Sequence, residues 1–113
     1  MSNPSMLVRT LRGVREEEYV RFVADWLTRA VDLDDAPALT GNRTIDALAA
    51  AATAHCAMTR HSAIPAWTNE PERVLDQLWY PGPSGLFAHA LVHSPLAFVN
   101  RGVLVEEHSL ESV

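Results

Sequence analysis

The chain has 113 residues, of which 48% are apolar and 20% charged, and a formal net charge of −5. That length supports one domain with a modest core and is too short for two, and the composition is too apolar for a disordered chain. All nine basic residues are arginines and acids outnumber them, which argues against a surface built to neutralise phosphates; nucleic acid is not the expected partner. The single Cys56 has no intramolecular partner for a disulfide, the N-terminal residues contain no continuous apolar export segment, and no stretch approaches the roughly 20 apolar residues that span a bilayer. The expectation is a cytoplasmic protein with no membrane association.

Residues 1–13 give Met6, Leu7, Val8 and Leu11 among Arg9, Arg12 and Arg15, and read as a short helix or an extended arm. From about Arg15, the apolar residues Tyr19, Phe22, Val23, Trp26, Leu27 and Ala30 recur at three- and four-residue intervals, which predicts a helix with one buried stripe. Glu17 with Arg21 and Asp25 with Arg29 are spaced for ion pairs on its outer side. The acidic run "DLDDAPALTGNR" places Pro37 and Gly41 after this helix, so it should stop near Leu33. Asn42 or Thr44 can cap the next helix, whose face is Ile45, Leu48, Ala49, Ala52 and Cys56 and whose alanines permit close packing. It should end by Pro65.

A further helix is predicted from Pro71, capped by Thr68 or Asn69, with Val74, Leu75, Leu78 and Trp79 on one side. After "YPGPSG", Ser84 can cap a helix carrying Leu86, Phe87, Ala90 and Leu91, and Ser94 with Pro95 can start a last turn or two that stops at Gly102. Residues 103–106 are Val-rich and suggest a minor short strand. Together these elements predict an all-α fold, one domain of four or five helices over residues 1–113.

The chemistry-bearing residues are sparse. His89 and His93 are four apart, which puts both imidazoles on one helical face in the geometry of paired metal ligands. Two ligands do not complete a site, so no metal and no cofactor is assigned, and a small metal-binding protein or enzyme using this pair stands as an alternative. Cys56 and its neighbour His55 point about 100° apart on a helix, poor geometry for activating a thiol. The glycines form no phosphate-cradling pattern. No catalytic residue emerges, and the chain is read as a non-enzyme.

The concentration of Trp67, Trp79 and Tyr80 in "IPAWTNEPERVLDQLWY" is the clearer anomaly. Such a group either plugs the gaps between helices or leaves an open aromatic surface that anchors a partner, since Trp, Tyr and Arg dominate binding hot spots. Trp67 and Phe98 suit the core; Arg73, Tyr80 and Arg101 suit contact. Trp67, Arg73, Trp79, Tyr80, Phe98 and Arg101 form the candidate partner-binding set.

The order "PAWT", then Pro71, Arg73 and Leu75, then the aromatic Trp79, then "SPLAF" at Ser94–Phe98 and "RGV" at Arg101–Val103 resembles the C-terminal module of small actinobacterial proteins that often carry an Xre-type helix-turn-helix head. The resemblance covers about the last half of the chain. It implies an antitoxin-like or regulatory protein-interaction role, with a nucleotidyltransferase-like toxin as a candidate partner and a homodimer as another. No helix-turn-helix is legible here, because an acidic loop follows the first helix. A dimeric DNA-binding regulator working through its arginine-bearing N-terminal segment is the remaining alternative.

Overall fold

Asn3 caps the first helix with its side chain, accepting from the Met6 N–H at 2.9 Å, and Pro4 occupies the first helical position, where its missing N–H costs nothing. These two residues decide that the N-terminal segment is helical: α1 spans Pro4–Arg12 and buries Leu7, Val8 and Leu11. The computed structural model describes residues 2–111. Within them the fold is all-α, with α2 at Tyr19–Leu27, α3 at Arg43–Thr59, α4 at Phe87–His93 and α5 at Leu96–Val99. Single 3-10 turns at Glu16–Glu18, Ala66–Asn69, Pro71–Arg73, Ser84–Leu86 and Glu107–Leu110 link or follow them. None of these helices is long and apolar enough to cross a membrane.

α3 is the axle of the molecule. Asn42 caps it, accepting from the Ile45 N–H at 3.1 Å, and the acidic Asp46 in its first turn also receives the Thr40 backbone N–H and hydroxyl. Every residue from Ile45 to Ala54 is buried, and Cys56 and Ala57 follow. The helix is therefore enclosed on all sides, a broader face than the predicted stripe, because its alanines let neighbours approach from every direction. α1, α2, α5 and the turns at Ala66–Asn69 and Pro71–Arg73 all pack on it. Phe98 on α5 is fully buried among them, in one cluster with Val103. The Glu107–Leu110 turn closes the body by packing Leu110 against α2.

Three expected elements differ. α2 ends at Leu27, because Ala30 and Val31 leave the helix to pair with Ser2: the Val31 N–H donates to the Ser2 carbonyl at 3.0 Å. Its first turn pairs Arg21 with Glu18 instead of Glu17, and Asp25 with Arg29 as spaced. The helix expected from Pro71 is only a 3-10 turn. Beyond it the N–H groups of Leu75 and Trp79 donate to the carbonyls of Arg101 (3.0 Å) and Gly102 (2.8 Å), and Leu104 donates back to Trp79 at 2.9 Å. This long-range pairing takes the donors a helix would use, and Pro81 and Pro83 forbid helix just beyond. Finally, residues 103–106 form no strand: Val103 makes one parallel bridge with Trp79. Ser84 and Ser94 do not act as side-chain N-caps; the Ser94 hydroxyl donates to the Ala90 carbonyl and closes α4.

Gly102 is fixed by this pairing. Its φ is +82°, and a Cβ there would lie 2.9 Å from the Leu75 Cβ and 3.1 Å from the Leu75 carbonyl oxygen, so both conformation and close approach require glycine.

Candidate functional site

Pro71 starts a turn that swings Arg73 inward, where it is 2% exposed. Its Nη2 donates to the Pro37 carbonyl at 2.6 Å, its Nε to Glu70 at 2.7 Å, and its guanidinium sits 4.7 Å from the Trp67 ring centroid. Trp67 is buried as well and donates its indole N–H to the Leu33 carbonyl at 2.9 Å, which ties the acidic loop after α2 to the "PAWT" turn. Arg101, 5% exposed, reaches back from beyond α5: Nε donates to the Thr68 carbonyl at 2.9 Å, Nη1 to the Ala97 carbonyl at 2.8 Å, and Nη2 to Thr68 Oγ1 and Asn69 Oδ1. Burial pushes its pKa below the ordinary arginine value. The two arginines expected as surface contacts are thus interior cross-links. Both are held inside by acceptors of the loop-rich segments around them: Arg101 makes four hydrogen bonds, whereas Arg73 makes two and relies on the Trp67 ring beside it, its Nη1 being buried without a partner.

The remaining members of the candidate set divide. Phe98 and Trp67 are core. Trp79 is half-buried, 6.3 Å from the Tyr19 ring, with its indole N–H donating to Glu16 at 3.2 Å. Tyr80 is half-buried and meets Phe87 edge-on at 5.7 Å. The structure does not bring the six residues to one surface.

It does assemble a surface from residues outside that set. Every residue from Pro81 to His93 is exposed except Ala90, the one buried residue of α4. Its apolar side chains and those beside it face solvent: Leu78, Leu86, Phe87, Leu91, Val92 at 76% and Leu96 at 61% exposure. Sequence reading finds this helix and its apolar residues Leu86, Phe87, Ala90 and Leu91. Only the fold shows that no other part of the described chain covers it.

The histidine pair lies on the same helix. The His89 and His93 rings are 4.1 Å apart, and His89 Nδ1 is 2.9 Å from Glu106 Oε1. Among the described residues no three His, Cys, Asp or Glu side chains are placed to hold a metal ion together. His55 packs on Phe98 at 5.6 Å; burial lowers its pKa, against a smaller opposing pull from Glu107. The buried Cys56 thiol has its pKa raised by desolvation, partly countered by Arg60. A protonated, buried thiol is a poor nucleophile.

No protein-family model matches this chain, and neither a curated protein nor a solved structure is detectably similar to it.

Proposed function

We propose that this protein is a non-catalytic, antitoxin-like or regulatory interaction module that acts by covering a partner protein's surface. The observation that supports it is the solvent-facing apolar strip of α4 and its flanks, Leu86, Phe87, Leu91, Val92 and Leu96. Exposed apolar side chains gathered on and beside one short helix of a small domain mark contact sites; fully burying a fully exposed side chain of this size is worth about 1.5–3 kcal/mol, and these, exposed by 38–76%, gain a part of that. The contact surface in this reading is α4, with Tyr80 at its edge through the ring contact to Phe87, while Arg73 and Arg101 shape the body behind it.

The reading is tested by affinity capture from native-host lysate with the wild-type chain and a Leu91→Ser, Val92→Ser double variant side by side, with bound proteins identified by mass spectrometry. The expected outcome is one protein retained by wild type and lost by the variant at unchanged thermal stability. Equal retention by both chains contradicts the assignment to α4.

A further inference from the structure

Arg101 carries a charge with no counterion. Its guanidinium is almost fully buried, yet all four of its hydrogen bonds go to neutral acceptors, and it makes no ion pair with any described carboxylate in a chain where acids outnumber bases. A guanidinium has five N–H groups, so one on Nη1 remains without an acceptor among the described residues. Leaving a charge desolvated and uncompensated is costly, and the cost is relieved by any anion that reaches it.

The fold leaves a route to it. Arg101 lines a notch of about 210 Å³ between the end of α3, the "PAWT" turn and α5, with Asn69 and Asn100 beside it. Its rim combines the exposed amides of Asn69 and Asn100 with three apolar side chains, Met58, Ile64 and Leu96, each more than a third exposed. A cationic floor under a partly apolar rim selects an amphipathic anion. The volume falls below the ~300–1,000 Å³ of a typical small-molecule pocket and suits a single inserted side chain. Leu96 belongs both to this rim and to the exposed strip that continues from α4, so a partner seated on the strip lies over the notch.

We propose that the notch over Arg101 receives an acidic side chain of the partner protein, flanked by apolar residues that cover Met58, Ile64 and Leu96. This rests on the protein-binding reading above and names the partner's chemistry: a carboxylate set in an apolar segment. The acid forms charge-assisted hydrogen bonds with the free Nη1–H and with the side-chain amide of Asn100 or Asn69, and cancels the charge that the body leaves unpaired.

The test uses the full chain, with ¹⁵N-labelled backbone and arginine Nε–H resonances followed by NMR. The probes are N-acetyl-Leu-Glu-Leu-amide and its Gln counterpart. The expected result is saturable shifts at Arg101 Nε–H, Asn69 and Asn100 with the Glu peptide, in the millimolar range, and at least about tenfold weaker binding of the Gln peptide, the loss of one charge-assisted hydrogen bond. Asn69→Asp places a carboxylate where Oδ1 now sits 3.0 Å from Arg101 Nη2, so this variant should melt higher than wild type and lose the peptide shifts. Equal shifts from Glu and Gln peptides, equal shifts from sodium acetate at the same concentration, or undiminished peptide binding by Asn69→Asp overturns the proposal. A captured partner that is lost on Leu91→Ser, Val92→Ser but held by Asn69→Asp leaves the interaction reading standing and removes the carboxylate notch.

Discussion

α3 and α4 are both helices rich in apolar residues, and they end in opposite environments. From Ile45 to Ala54 no residue of α3 reaches solvent, whereas from Pro81 to His93 only Ala90 is hidden. The difference lies in side-chain size and in what the flanking chain does. Alanines on α3 allow five neighbouring elements to close around it, and Asn42 fixes its start. α4 has larger side chains but is bounded by "PGPSG" and Ser94–Pro95, which hold it at the edge where only one small face meets the body. Apolar surface that the fold leaves uncovered is available for a partner, and the proposed contact surface rests on this contrast.

The contrast breaks most visibly at the core. Phe98→Ala empties a fully enclosed ring site against α3 and should cost about 3–5 kcal/mol, a large part of the stability of a domain this size, measured by urea unfolding. Gly102→Ala follows, because it must adopt a left-handed φ with its Cβ pressed on Leu75; a loss of about 1–3 kcal/mol in the same assay is expected, and an unchanged midpoint would show that the 74–80 segment yields freely. His55 tests the α3 side through pH. Its folded pKa lies below the ordinary 6.5, so the unfolded chain takes up its proton first on acidification. Its contribution to stability is complete above about pH 6.5 and is lost as pH falls below that value. His55→Gln should flatten this part of the stability profile. The smallest effect belongs to α4: Val92→Ser should change stability by no more than about 0.5 kcal/mol, and a loss above 1 kcal/mol would mean that α4 is core after all.

Much of the body was legible. The stripe of α2, the Asn42 cap and the alanine face of α3 are local signals, written in residue spacing and in side chains that bond their own backbone. What was not legible is non-local. Val74, Leu75, Leu78 and Trp79 have helical spacing, but their backbone donors are claimed by Arg101 and Gly102, a pairing no local pattern announces. Arg73 and Arg101 look like surface residues until Pro37, Thr68 and Ala97 supply the acceptors that hold them inside. The apolar residues of α4 were visible as a group, but spacing says only that a face is apolar and never whether the rest of the chain covers it.

The claim that α4 is a contact surface is most directly tested by placing a photo-crosslinking amino acid at Val92, and as a control at the exposed Glu17 on the body, and irradiating native-host cells that produce each chain. The account predicts a discrete adduct with one partner protein from position 92 and none from position 17. No adduct at position 92, or the same adducts from both positions, would contradict it.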